Sequence, residues 1–92
     1  MKKKIIILGS TGSIGKTSVS IVEKNYNKFN VQLLTTNKNT NLLFKQAKKF
    51  KTINLIIFDK EKFYKEKKNP KNSKFNIFNS FKSYLKNNKN CK

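Results

Sequence analysis

Along this chain the spacing of apolar positions switches repeatedly between two patterns. Lys4 to Leu8 carries the continuous apolar run Ile5-Ile6-Ile7-Leu8, of the kind found in parallel-sheet strands buried on both faces. From Ile14 the spacing becomes helical: Ser18, Ile21 and Val22 form one narrow inward stripe, with Glu23 and Lys24 outside it. Phe29 to Thr36 reads as a second strand, although its alternation is less clean around Val31, Leu33 and Leu34. Asn37 to Thr40 is polar, and Asn39 or Thr40 can cap a following helix. Leu43, Ala47 and Phe50 recur at i, i+4 and i+7 and supply that helix's inward stripe, while Lys45, Lys48 and Lys49 face out. Thr52 to Asp59 is a third strand centred on Leu55-Ile56-Ile57-Phe58.

The order β-α-β-α-β implies a parallel sheet with right-handed crossovers. Beyond Asp59 the pattern weakens. Glu61 to Lys68 reads as a short helix, Asn69-Pro70-Lys71-Asn72 as a turn, Phe75 to Phe78 as a marginal strand, and Ser80 to Asn87 as a helix with Phe81, Tyr84 and Leu85 on one side. A frayed basic tail, 87–92, follows.

The chemistry concentrates between the first strand and the first helix, in Gly9-Ser10-Thr11-Gly12-Ser13-Ile14-Gly15. A glycine turn there lets backbone approach a phosphate and aims the free N–H groups of the helix start at an anion. Three readings fit. The first is a tight turn with no ligand. The second is a phosphate-binding P-loop: Ser10 to Thr17 fits G-x-x-x-x-G-K-[ST] except for Ser10 in place of the first glycine, with Lys16 and Thr17 on phosphate and magnesium and Asp59 as a second magnesium ligand. That reading lacks the glycine the loop needs for its initial bend and leaves Gly12 unexplained. The third is a spaced dinucleotide turn, G-x-x-G-x-x-G, in which Gly9 makes the turn, Gly12 lets the diphosphate approach and Gly15 lets the helix pack close to the sheet. The fold class on that reading is α/β, a partial Rossmann-like parallel sheet with helices on both faces. No Asp or Glu ends the second strand, where NAD-type sites hold the ribose hydroxyls. Thr35-Thr36-Asn37-Lys38-Asn39 instead offers hydroxyls, amides and an ammonium, which suit the 2′-phosphate of NADP.

Composition narrows the function classes. With 92 residues there is room for one small domain. The formal charge of +18 points first to polyanions, yet all 22 basic residues are Lys. Arg, the better bidentate reader of phosphate and guanine, is missing, while Asn, Ile and Phe are abundant, the signature of AT-rich codon usage; no nucleic-acid partner is expected. The single Cys91 permits neither an internal disulfide nor a zinc set. The apolar run before Gly9 is too short for a signal segment or a membrane span, so a cytoplasmic protein without membrane contact is expected.

Taken together, Ile6-Ile7-Leu8-Gly9-Ser10-Thr11-Gly12-Ser13-Ile14-Gly15, Asn27-Lys28-Phe29 and Lys38-Asn39 closely resemble the N-terminus of the 1-deoxy-D-xylulose 5-phosphate reductoisomerases. The likeness runs from about Lys3 to Asp59, roughly two-thirds of the chain, and fades afterwards. It implies a partial NADPH-binding domain over 1–86, with catalytic and C-terminal domains absent. It further implies NADPH-dependent conversion of 1-deoxy-D-xylulose 5-phosphate to 2-C-methyl-D-erythritol 4-phosphate in non-mevalonate isoprenoid synthesis, with Mg²⁺ or Mn²⁺, by a family that is typically homodimeric. Carried over by position, it puts cofactor phosphate and ribose at Thr11, Gly12, Ser13 and Ile14, and the 2′-phosphate end at Asn37, Lys38 and Asn39. Asn37 stands where the family usually has Gly, and Asn tolerates a left-handed backbone best among other residues. The family's metal ligands, substrate-phosphate contacts and histidine-bearing loop fall beyond the matched region. This chain has no His, and its four carboxylates, Glu23, Asp59, Glu61 and Glu66, show no metal-ligand spacing. No turnover is therefore expected from it alone. A domain missing its second half would also leave apolar surface and a sheet edge exposed.

Overall fold

The computed structural model describes residues 2–88; the tail expected over 87–92 lies outside them beyond Asn88, and Cys91 with it. Four strands, β1 (Lys3–Ile7), β2 (Phe29–Thr36), β3 (Asn54–Ile57) and β4 (Asn76–Phe78), pair in parallel in the order β1-β2-β3-β4. Between and after them run α1 (Ser13–Lys24), α2 (Thr40–Phe50), α3 (Lys60–Lys68) and α4 (Phe81–Asn88), with short 3₁₀ turns at Tyr26–Lys28 and Pro70–Asn72. Every element expected from the apolar pattern is present.

The register decides which residues share a face. Ile5 and Ile7 of β1 line up with Val31 and Leu34 of β2, and Leu34 with Leu55 and then Ile77. This face forms the main core together with Val19 and Val22 of α1 and Leu43, Ala47 and Phe50 of α2, and with Phe63 of α3 packed at its margin. Val31 and Leu34 share it despite being three residues apart because the register slips between Ile5 and Ile6, leaving Gln32 as the extra residue of a bulge. That bulge is the physical reason the alternation in this strand looked irregular. On the opposite face α4 covers the far end of the sheet, where Phe81 meets Phe58 with ring centroids 5.7 Å apart and Tyr84 meets Phe78 at 5.6 Å. Helices therefore lie on both faces.

Three details differ from the pattern. The inward stripe of α1 is Gly15, Val19 and Val22; Ile14 and Ile21 point to solvent, and Ser18 bonds back to the Ile14 carbonyl. The stripe is turned because Gly15, pressed on the loop before the helix, fixes which side meets the sheet. Leu85 is likewise exposed, and the ring contacts of α4 with the sheet come from Phe81 and Tyr84. Nor is β1 buried on both faces. It pairs only with β2 among the described residues, and Ile6 and Leu8 remain 49% and 60% exposed. The strand is apolar throughout, yet among the described residues it has one unpaired edge and one open face.

Candidate functional site

The carboxyl ends of β1 and β2 meet at the glycine turn, and hydrogen bonds fasten the turn to β2. The Gly9 N–H donates to Thr35 Oγ1 at 2.7 Å, and the Ser10 N–H to the Thr35 carbonyl at 2.9 Å, with Ser10 Oγ reaching the same carbonyl. The Thr11 and Thr36 hydroxyl oxygens are 2.6 Å apart. From α2, Gln46 Nε2 donates to the Ser10 carbonyl at 2.9 Å. Ser10, Thr35 and Thr36 are all buried. Their hydroxyls are thus committed to shaping the loop, which corrects the expectation that Thr35 and Thr36 face a ligand phosphate.

Two glycines are required by this geometry. Gly9 has φ +58°, a left-handed conformation that side chains disfavour. Gly15 packs on the loop so closely that a β-carbon there would stand 1.9 Å from the Gly9 carbonyl oxygen. Gly12 differs: its β-carbon would meet only the Gly9 oxygen, at 3.5 Å, and otherwise open space.

Gly12 is the N-cap of α1 and offers no side chain to the helix amides, and the first turn holds no acid. Ser13, Ile14 and Gly15 therefore present N–H groups without intrahelical acceptors at the positive end of a helix dipole. Ser13 and Ile14 are exposed, Ile14 to 85%. Such a terminus can receive an anion through backbone donors alone.

At the end of β2, Asn37, Lys38 and Asn39 are exposed and lead into α2. The Asn39 side chain caps that helix by accepting from the Leu42 N–H at 3.2 Å, while the Asn37 carbonyl accepts from the Asp59 N–H at 3.0 Å. Asn37 does not take the left-handed backbone that its place in the turn suggested. Among the described residues Lys51, the C-cap of α2, is the one non-glycine position with positive φ.

Two residues of the P-loop reading, Thr17 and Asp59, are otherwise engaged. The Thr17 hydroxyl bonds back to the Ser13 carbonyl at 3.2 Å, as helix-interior threonines do. Asp59 caps α3 by accepting from the Lys62 N–H at 3.1 Å. Lys16 lines a groove of about 470 Å³ between α1 and α2, along with Lys45 and Lys49. Among the described residues no three His, Cys, Asp or Glu side chains gather as a metal-binding set. Gln46 escaped the sequence reading; the signal was a polar residue on the inward stripe of α2, between Leu43 and Phe50.

Parallel strands, a strand–glycine turn–helix unit and unsatisfied amides at the carboxyl edge of the sheet define a Rossmann-like α/β fold. Comparison with known proteins makes this specific. The sequence profile of the 1-deoxy-D-xylulose 5-phosphate reductoisomerases matches residues 5–87, and the chain belongs to that family. The match continues past Asp59, where the likeness was expected to fade. The reductoisomerase of Porphyromonas gingivalis is 44% identical over 64 residues, covering 70% of this chain and 17% of that protein. That of Pelagibacter ubique is 46% identical over 61 residues, covering 66% and 16%. Among solved structures, the Zymomonas mobilis reductoisomerase in complex with NADPH superposes with a TM-score of 0.75 at 27% identity, covering 85% of this chain and 21% of its own. The chain thus spans about a sixth of the length of the curated relatives it matches. No helix among the described residues is long and apolar enough to cross a membrane.

Proposed function

We propose that this chain is the NADPH-binding N-terminal part of a 1-deoxy-D-xylulose 5-phosphate reductoisomerase. The observation that carries the reading is the loop itself: it is braced from behind by Thr35, Thr36 and Gln46, while its outer side is left to backbone donors. In this reading Thr11, Gly12, Ser13 and Ile14 surround the cofactor's diphosphate and adjoining ribose, with the N–H groups of Thr11, Ser13 and Ile14 as donors and Gly12 as the point of close approach. Gly12 leaves room for the approach, since a β-carbon there would meet only the Gly9 oxygen, at 3.5 Å. Asn37, Lys38 and Asn39 receive the adenosine 2′-phosphate, with the Lys38 ammonium as counter-charge and no acid there to favour NAD. A solved relative that binds NADPH on the same fold supports the assignment.

When bound, NADPH supplies the hydride for reduction of the rearranged sugar phosphate. This chain's residues hold and orient the cofactor; the divalent metal and the sugar phosphate of the family reaction need ligands beyond those gathered here. The reading therefore places the protein in non-mevalonate isoprenoid synthesis, in the cytoplasm, as a cofactor-binding segment without turnover of its own. The test is to incubate the purified chain with NADPH, 1-deoxy-D-xylulose 5-phosphate and Mg²⁺ or Mn²⁺ and to follow both cofactor fluorescence and oxidation. Binding without oxidation is expected. Steady oxidation would overturn the assignment of catalysis to other residues, and failure to bind would overturn the cofactor site.

A further inference from the structure

Gln46 occupies a position where an apolar side chain would be cheaper. It stands on the buried stripe of α2 at 5% exposure, and its Oε1 has no hydrogen-bond partner. Its other end is committed: Nε2 donates to the Ser10 carbonyl, 36 residues earlier in the chain. The two ends cannot be exchanged, because turning the amide over would set Oε1 against the Ser10 oxygen. Ser10 itself is fully buried, so its carbonyl would have no donor without Gln46.

The consequence lies on the far side of the same peptide unit. In a trans peptide the C=O and the following N–H point in opposite directions, and the described residues contain no cis bond. Holding the Ser10 carbonyl toward α2 therefore turns the Thr11 N–H away from α2. The neighbouring loop amides are already spent: Gly9 on Thr35 Oγ1, Ser10 on the Thr35 carbonyl, Gly12 on the Gly9 carbonyl. Thr11 alone among these four keeps its N–H without an acceptor in the described protein. The contact between the Thr11 and Thr36 hydroxyls fixes the side chain but leaves the orientation of the peptide plane to Gln46.

We propose that Gln46 is a positioning residue for the cofactor loop: its bond to the Ser10 carbonyl holds the Ser10–Thr11 peptide with the Thr11 N–H presented outward as a diphosphate donor beside Ser13 and Ile14. This rests on the cofactor reading given above. It also links the two ends of that site, because the helix carrying Gln46 is the one that Asn37, Lys38 and Asn39 lead into.

The experiment is an amide-resolved NMR titration of the whole chain, first with inorganic pyrophosphate and then with NADPH. The Thr11 amide proton is expected to move downfield together with those of Ser13 and Ile14. In Gln46→Met the NADPH affinity is expected to fall about tenfold, with the Thr11 response lost and the Ser13 response kept. Leu43→Ala, which weakens the same helix without touching the loop, should keep the parent affinity per folded molecule, separating positioning from stability. A parent protein in which Ser13 and Ile14 respond but Thr11 does not would overturn this inference and leave the cofactor site standing. Parent-like affinity in Gln46→Met would do the same. Silence at all loop amides would overturn both. Should Gln46→Met fail to fold, the Thr11 response of the parent protein decides.

Discussion

Gly15 and Gly9 are in such close contact that a β-carbon on Gly15 would lie 1.9 Å from the Gly9 carbonyl oxygen and 2.6 Å from its carbon. The first turn of α1 thus presses directly on loop backbone, which cannot yield as a flexible side chain would. Gly15→Ala is expected to destabilise the chain by about 3 kcal/mol or more, the upper range for overpacking. Thermal denaturation followed by circular dichroism measures it; an unchanged midpoint would mean the helix does not sit against the loop.

Gly12 makes the contrasting case. Its φ of −83° suits any residue and its β-carbon would make only an ordinary contact, so Gly12→Ala should fold with stability within about 1 kcal/mol of the parent. The added methyl stands where the diphosphate is proposed to approach, and NADPH affinity should fall about tenfold. Fluorescence titration alongside a thermal melt separates the two effects.

Lys38 tests the assignment of cofactor type. Lys38→Ala should weaken NADPH about three- to tenfold, as expected for one exposed charge-assisted contact, and leave NADH unchanged. The difference should shrink with added salt. Equal losses for both nucleotides would remove Lys38 from the 2′-phosphate end.

Asp59 and Lys51 are assigned structural roles only. Asp59→Ala removes the cap of α3 and should cost about 1 kcal/mol without altering NADPH affinity. Lys51→Gly relieves a left-handed backbone, φ 56°, at the end of α2 and should stabilise by about 0.5–1 kcal/mol. Urea unfolding curves for both variants check these values.

Much of the fold could be read from residue spacing because burial of one face dictates it. Spacing delimits the second strand at Phe29 and Thr36, as observed, and Leu43, Ala47 and Phe50 are the apolar part of the buried stripe of α2. What spacing missed came from tertiary contacts. The face of α1 is set by Gly15 against Gly9, a backbone approach that hydropathy does not record, so spacing turns Ile21 inward although it faces solvent. The bulge at Gln32 disturbed the strand's alternation without moving its ends. In the site, the glycine spacing located the loop, but its bracing by Thr35, Thr36 and Gln46 depends on elements 25 to 36 residues away. Hydroxyls that seemed free in sequence were committed to the loop.

Isothermal titration of the purified chain with NADPH, NADH and magnesium ATP in parallel distinguishes a glycine turn that receives NADPH from one that receives a nucleoside triphosphate. Saturable one-to-one binding of NADPH, weaker binding of NADH and none of magnesium ATP is the predicted result. Saturable magnesium ATP binding that disappears in Lys16→Ala, with no heat from NADPH, would contradict it.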